Sequence, residues 1–356
     1  MSEPTSHLPS DPEWEAGPQV GVWVVPPPRQ RWWIYWLFLL LTLMSTTIVG
    51  ARIEFNFQHS QPVFSLSDNT LSLFPIGWIA QHPANLWLGL PFSLTLMFIL
   101  FAHEMGHYLY ARHYRVEVTP PFFVPCPYLS LFGTLGAFIR LKSPIPSRAA
   151  LFDIGIAGPI AGFIPACAAL FYGLWLSHPF ANPVSSEVQL GFPLIFHIAA
   201  SFLRVAGPLD SLSIHPIAAA AWVGMFATAL NLLPGGQLDG GHIVFSISPS
   251  KHRLISSLTI LTLVPLGIYF WTGWLIWAVL LAMTVRHPRV PRHPEVSGWR
   301  RAVAASGLLL LILSFTPSPL THSSGREVWP QVRDGSRGML HDLRDGMGHL
   351  VQRRAK

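Results

Sequence analysis

The chain has 356 residues, of which 51% are hydrophobic and 11% are charged, whereas about a quarter of the residues of an ordinary globular domain carry a charge. This composition excludes a typical soluble domain and favours a protein surrounded by a lipid bilayer. The formal net charge is +6, but the basic residues lie at the ends of apolar stretches, as in the loops of membrane proteins. We therefore expect no nucleic-acid partner.

The N-terminal segment and the two cysteines narrow the choice further. Residues 1–32 form a polar, proline-rich segment with four acidic residues, which is unlike a signal peptide, and we predict that this segment is cytoplasmic. Cys126 and Cys167 are too few for a disulfide framework or a four-thiolate zinc site. Both cysteines lie in apolar surroundings, which favours a role in packing.

Several apolar stretches have the length that a membrane-spanning helix requires, about 20 residues. The first two cover residues 33–51 and 86–110, and arginines precede the first and follow the second. This arrangement predicts a cytoplasmic N-terminus. Residues 149–176 and 214–233 predict two further spans. Residues 251–285 predict a hairpin of two spans, with a single long tilted helix as the alternative.

The remaining segments complete the predicted fold. Prolines break any helix before residue 131, and residues 131–139 predict a short strand-like or re-entrant segment, which is tolerated inside a membrane only where protein or a water cavity covers it. A last apolar run covers residues 302–315. The expected fold is therefore an all-α polytopic membrane protein with about six to eight transmembrane helices. Its membrane-embedded domain covers residues 33–316, and a polar C-terminal tail covers residues 317–356.

The sequence His103-Glu-Met-Gly-His107 carries the clearest sign of chemistry. Helical residues four apart lie on one face, so both imidazoles can bind one metal ion, and Glu104 beside them can accept a proton from water at that ion. Glu104 is the only acidic residue in residues 86–110, and an ionisable residue within a span indicates function. The structural alternative is two interfacial histidines and a glutamate that reaches towards the helix end.

A third ligand is needed, because catalytic zinc usually takes three protein ligands and a water. Residues 231–242 read Asn-Leu-Leu-Pro-Gly-Gly-Gln-Leu-Asp-Gly-Gly-His, and the glycines and the proline let the backbone unwind at the end of a span. We predict that Asp239 is the third ligand. His242 is a rival ligand, and an Asp-Gly turn is the structural alternative for Asp239.

The number of spans between the two motifs supports this pairing. His107 lies near the cytoplasmic end of its span, so Asp239 meets it only if an even number of spans separates them. Residues 149–176 and 214–233 supply two. The moderately apolar residues 190–205 are therefore interpreted as a helix on the outer surface rather than as a span.

Other polar and small residues in the apolar segments also suggest roles. Asn231 can hydrogen-bond a substrate backbone or stabilise an oxyanion, or it can join two helices. Asp153 is interpreted as a helix-start acid favoured by the helix dipole. Small residues in the same span allow a neighbouring helix to approach closely, and these are Gly155, Gly158 and Gly162.

At these residues the chain resembles the site-2 protease family of intramembrane metalloproteases. The resemblance rests on His103-Glu-x-x-His107, on Asn231-x-x-Pro234 followed by Asp239-Gly240, and on the order of the spans between them. These features lie in a catalytic core of about residues 86–245. No stretch is long and polar enough for a PDZ domain or a tandem nucleotide-sensing domain, so the chain is similar to the plain multi-span members of the family.

The resemblance implies one Zn²⁺ per chain, bound by His103, His107 and Asp239. It implies that Glu104 is the general base and that Asn231 helps to hold the substrate or the oxyanion. It also implies that the strand-like segment presents the substrate in extended form.

The predicted function is therefore hydrolysis of peptide bonds in membrane-spanning protein or peptide substrates by zinc-activated water. The predicted location is a bacterial cell (inner) membrane, with the active site towards the cytoplasm. A membrane transporter or a catalytically inactive scaffold that uses the same buried polar residues is the alternative.

Overall fold

The structure is a computed structural model that describes residues 31–64, 71–72, 74–128, 130–180, 189–288, 290–321 and 323–327. Residues 1–30 of the predicted N-terminal segment and residues 328–356 of the predicted tail lie outside the described residues. The helices of the described part are α1 (Trp32–Gln58), α2 (Ile76–Gln81), α3 (Leu90–His113), α4 (Arg148–Leu176), α5 (Leu194–Leu203), α6 (Pro216–Leu232), α7 (Asp239–Ile247), α8 (Pro249–Tyr269), α9 (Gly273–Met283) and α10 (Trp299–Ser314).

Four helical stretches among the described residues are long and apolar enough to cross a membrane, namely α1, α4, α8 and the stretch Pro83–His113. In the last of these, the 3₁₀ turn Pro83–Gly89 leads into α3. Three shorter apolar helices, α5, α6 and α9, accompany them. The prediction of a polytopic, mainly helical integral membrane protein is confirmed. Four of the described helical stretches thus meet the length of a span, and the number of about six to eight transmembrane helices stays a prediction.

Helix α6 lies at the centre of the helical core. It is apolar on all sides, and its Ala218 and Trp222 side chains are almost fully buried, which is typical of a helix surrounded by protein. Helix α4 packs along α3 and along α6, and α3 also contacts α6. The second half of α3 and the end of α6 are therefore held near each other.

A β-hairpin follows α3. Strand β1 (Phe122–Pro125) pairs antiparallel with β2 (Thr134–Phe138), with Phe123 opposite Ala137 and an irregularity between Val124 and Pro125. The predicted strand-like segment at residues 131–139 therefore contains β2. Its partner β1 lies in the proline-rich stretch, for which the sequence predicted only that no helix forms.

The segment at residues 190–205 forms only the ten-residue helix α5, which at about 1.5 Å per residue is too short to cross a bilayer. The chain then passes the 3₁₀ turn Leu209–Ser211 and reaches a short antiparallel pair, β3 (His178–Pro179) with β4 (Leu212–Ser213). This pair joins the end of α4 to the segment before α6. The prediction that residues 190–205 do not form a span agrees with this geometry.

The predicted hairpin at residues 251–285 is present as α8 and α9, which pack against each other. The first residues of the predicted tail also pack on the protein, because the Trp274 indole donates to the carbonyl of Pro317 at 2.7 Å. Leu320 pairs with Leu190 in an isolated β-bridge. The described part of the tail is therefore part of the folded structure.

Candidate metal centre

The second half of α3 carries His103, Glu104 and His107, and all three side chains are buried. Helical spacing places both imidazoles on one face, and their Nε2 atoms lie 3.2 Å apart. Apolar residues surround this face, so polar side chains there need partners. The predicted pair of histidines therefore points at one place in the protein interior.

Helix α4 fixes the orientation of His107. The Nδ1 atom lies 2.7 Å from the carbonyl oxygen of Ile154, and because a carbonyl only accepts, Nδ1 is the donor. The lone pair of Nε2 then faces the other ligands, an arrangement common for metal-binding histidines. Close approach of α4 depends on small residues, since a Cβ atom on Gly158 would overlap the His107 ring and one on Gly162 would crowd His103. The predicted role of these glycines is confirmed.

The third side chain arrives from a turn between two helices. Helix α6 ends at Leu232, and α7 begins with Asp239 as its first residue. Between them Gly236 adopts a φ of +59°, a conformation that glycine reaches without strain. The turn brings Asp239 Oδ2 to 3.3 Å from Nε2 of both His103 and His107.

Side chains of α8 hold this turn. The Gly236 N–H donates to Ser256 Oγ at 3.1 Å, and the Gly236 carbonyl accepts from His252 Nε2 at 3.0 Å. Thr259 Oγ1 donates to the Pro234 carbonyl at 3.1 Å. Sequence reasoning did not identify these three α8 residues. Their only signal was an unusual set of polar side chains in an apolar span.

The three ligand atoms fit a zinc ion. They lie 3.2 to 3.3 Å apart, and bond lengths of 2.0 to 2.1 Å in a tetrahedral zinc site require neighbouring ligand atoms at about 3.3 Å. Asp239 Oδ2 is buried without a hydrogen-bond partner, which is unusual for a carboxylate oxygen in a protein interior. Among the described residues, His103, His107 and Asp239 form the group of side chains that can hold a metal ion.

The two predicted catalytic residues border the same centre. The Asn231 amide nitrogen lies 3.4 Å from His103 Nε2, and Glu104 is buried in the turn of α3 between the two histidines. A cavity of about 270 Å³ lies beside them, and its lining includes Glu104, Phe138, Ile139, Asn231 and Asp239. The structure thus brings together all five predicted site residues.

The rival ligand His242 lines the same cavity but is not one of the three clustered ligand residues. It lies one turn after Asp239 in α7, but its Nδ1 atom is hydrogen-bonded to His287 Nε2 at 2.8 Å. The His287 Nδ1 atom in turn donates to the Pro288 carbonyl at 2.7 Å. Burial lowers the pKa of His242 to about 4, so the ring is neutral at pH 7. The structure gives His242 a hydrogen-bonding partner rather than a place among the three clustered ligand atoms.

The interpretation of Asp153 as a helix-start acid is wrong. Asp153 lies in the second turn of α4, and its buried carboxylate accepts hydrogen bonds from Arg300 and Tyr114. An ion pair therefore stabilises it, and the helix dipole is not needed to explain it. Its partner Arg300 is 147 residues away, so sequence spacing did not reveal the contact.

The comparisons with known proteins agree with the geometry. The model of peptidase family M50 matches residues 91–270, about half of the chain. The "Probable zinc metalloprotease EGY1, chloroplastic" of Oryza sativa subsp. japonica is 30% identical over 304 residues, which are 80% of this chain and 51% of that protein. The Arabidopsis thaliana protein of the same name is 30% identical over 337 residues, 89% of this chain and 60% of that protein.

The chain therefore spans 51% to 60% of the length of these two curated relatives. Their names place both of them in chloroplasts, which gives no support to the predicted bacterial inner membrane. The family match covers the ligands His103 and His107 on α3 and Asp239 on α7, and zinc is the metal that the relatives' names specify. This chain belongs to peptidase family M50, the site-2 protease family of zinc metalloproteases.

Proposed function

We propose that the chain is an intramembrane zinc endopeptidase that cleaves membrane-spanning protein substrates. The observation that carries the proposal is the meeting of His103 Nε2, His107 Nε2 and Asp239 Oδ2 beside the buried carboxylate of Glu104. The printed names of the relatives, which are zinc metalloproteases, support the same activity. The described residues give no support to a transporter or an inactive scaffold.

The three clustered residues would hold the zinc ion. Zinc in such a site lowers the pKa of a coordinated water to about 7 and polarises a carbonyl group. Glu104 takes a proton from the attacking water and later donates it to the nitrogen of the leaving amine. The amide of Asn231, which lies next to His103, donates a hydrogen bond to the oxyanion that forms at the attacked carbonyl.

The position of the β-hairpin supports the proposal that the substrate binds in extended form. A helix hides its carbonyl groups in its own hydrogen bonds, so a transmembrane substrate must unwind locally before cleavage. Residues Leu135, Gly136 and Ala137 of β2 line a second cavity of about 110 Å³ together with Glu104 and Asn231. A substrate strand that follows β2 by main-chain pairing would bring its carbonyl group to Glu104.

The charge pattern supports a position of the active site near one membrane surface. His107 lies six residues before His113, the end of α3, which corresponds to roughly 9 Å along a helix. Arg112 and Arg115 lie at this end, and basic residues mark the cytoplasmic side of a span. Water and product therefore exchange from the basic side, which we assign to the cytoplasm.

Zinc content and cleavage test the proposal together. The wild type, purified in detergent, should contain about one zinc per chain, and both His107→Ala and Asp239→Ala should lose it. Glu104→Gln should keep its zinc but fail to cleave a model single-span substrate. His113→Ala, at the exposed end of the same helix, is the matched control and should keep both properties.

Each outcome is informative. If the wild type binds no zinc, the proposed enzyme is excluded. Retention of zinc by Asp239→Ala would remove Asp239 from the ligand set. Cleavage by Glu104→Gln at the wild-type rate would assign the proton transfer to another group.

A further inference from the structure

A second polar cluster surrounds the buried carboxylate of Asp153, next to Ile154, and has no part in the proposed chemistry. The carboxylate of Asp153 accepts from Arg300 Nε at 2.9 Å through Oδ1 and from Arg300 Nη2 at 2.8 Å through Oδ2. The hydroxyl of Tyr114 also donates to Oδ2. Burial raises the pKa of the Tyr114 phenol above its usual value. The phenol is therefore protonated at neutral pH and acts as a hydrogen-bond donor.

The cluster connects three helices at one level. Tyr114 directly follows α3, Asp153 lies near the start of α4, and Arg300 is the second residue of α10. Asp153 is only 3% exposed, and a buried carboxylate is stable only when it is paired and hydrogen-bonded. The two hydrogen bonds from Arg300 to Asp153 fix both the distance and the relative orientation of the guanidinium and the carboxylate. The start of α4 is thus tied to the end of α3 and to α10.

Asp153 is the direct neighbour of Ile154, whose carbonyl oxygen accepts from His107 Nδ1 at 2.7 Å. That hydrogen bond determines which nitrogen of His107 faces the metal and how the ring is turned. Its length depends on how closely the first turns of α4 lie against α3. The Asp153 cluster holds those turns in place, one residue from the carbonyl.

We propose that Arg300 is a positioning residue for the zinc ligand His107. Through its fork on Asp153, with Tyr114 as the third member, it keeps the Ile154 carbonyl where it orients the imidazole. Arg300 is not among the residues that line the cavity at the metal centre. It acts through Asp153 on α4 and through Tyr114 at the end of α3, whose hydroxyl accepts from Arg300 Nη2 at 3.3 Å. The inference rests on the proposed function, because it requires zinc at His103, His107 and Asp239.

A second ion pair at the same helix end provides a matched control. Arg148, the first residue of α4, is buried, and its Nη2 atom lies 2.6 Å from Glu295 Oε1. This pair also fastens the start of α4 to the segment before α10. Unlike Asp153, Arg148 is not next to a residue whose carbonyl oxygen accepts a hydrogen bond from a proposed zinc ligand. If both ion pairs only stabilised the fold, the loss of Arg148 and the loss of Arg300 would have the same effect on zinc binding.

The test uses the full chain in detergent, with zinc affinity measured against a competing chelator and with the absorption spectrum of the Co²⁺-substituted protein as a report on ligand geometry. In Arg300→Gln, the cobalt spectrum should change and zinc affinity should fall by up to roughly tenfold, at the low end of the effect of losing a ligand's direct hydrogen-bond partner. Arg300→Lys, which keeps the charge but not the fork, should recover part of the affinity. Arg148→Gln should keep the wild-type spectrum and affinity, even if its thermal stability falls.

An unchanged spectrum and affinity in Arg300→Gln, or an equal loss in Arg148→Gln, would overturn the proposal. If Arg300→Gln does not fold, Tyr114→Phe decides, since it removes one hydrogen bond to Asp153. A smaller change in the same direction supports the positioning role, and no change overturns it. If the wild type itself binds neither zinc nor cobalt, the proposed function has failed. If the wild type binds metal and the Arg300 variants bind it equally well, only the positioning role of Arg300 has failed.

Discussion

The two sides of the candidate metal centre are built on different kinds of backbone. On one side, His103 and His107 lie on the continuous helix α3, and α4 packs closely against them. On the other side, Asp239 follows a turn in which Gly236 has a positive φ and α8 supplies the hydrogen bonds. The helix fixes the spacing of two ligands by itself, whereas the third ligand depends on a turn that distant side chains hold.

This difference predicts different sensitivities. The helix side relies on the absence of side-chain atoms between α3 and α4, so added volume should disturb it most. The turn side relies on individual hydrogen bonds, and the loss of one bond should weaken it without abolishing it. Variants on each side, with matched controls, separate these two modes of construction.

The largest effect is expected for Gly158→Ala. Its new methyl group would occupy the space of the His107 ring, so the ring must leave the ligand position or the helices must separate, which typically costs about 1–3 kcal/mol. We expect loss of most of the bound zinc, measured by metal analysis of the purified protein. Gly77→Ala, where the added methyl group meets nothing within 4 Å, should bind zinc normally. Full zinc content in Gly158→Ala would contradict the close packing of α4 on His107.

A smaller effect is expected for Ser256→Ala. The variant leaves the buried Gly236 N–H without its acceptor, which costs about 1–3 kcal/mol. Zinc affinity, measured by chelator competition, should fall by up to roughly tenfold, because the turn that carries Asp239 loosens. Thr262→Ala removes a hydroxyl that bonds only within α8 and should have no effect on affinity. Equal affinities in the two variants would show that the Ser256 hydrogen bond does not support the ligand-bearing turn.

The smallest effect is expected for His242→Gln. His242 bonds to His287 and stays outside the ligand cluster, so the variant should still hold about one zinc per chain by metal analysis. Asp239→Ala provides the contrast, since it removes a ligand atom. If His242→Gln lost its zinc and Asp239→Ala kept it, the third ligand would be His242.

Much of the fold was predictable because apolar length and helical periodicity are local properties. The spans that became α1, α3 and α4 were found in this way, and each observed helix begins or ends within a few residues of the prediction or extends it. Strand β1 was missed, because its residues show no alternation and it forms only by pairing with β2. The packing of residues 317–321 was also missed, since it depends on distant partners such as Trp274.

The sequence by itself determined that the chain lies in a membrane and that two histidines four residues apart share a helical face beside Glu104. It also pointed to Asp239, at the glycine-rich end of another apolar span, as the third ligand. These conclusions depend on composition and on spacings of a few residues. Only the tertiary structure decided that Asp239 Oδ2 lies 3.3 Å from both histidines, and that Asp153 pairs with Arg300. Contacts between residues more than a hundred positions apart arise from the packing of whole helices, and no local pattern in the chain encodes them.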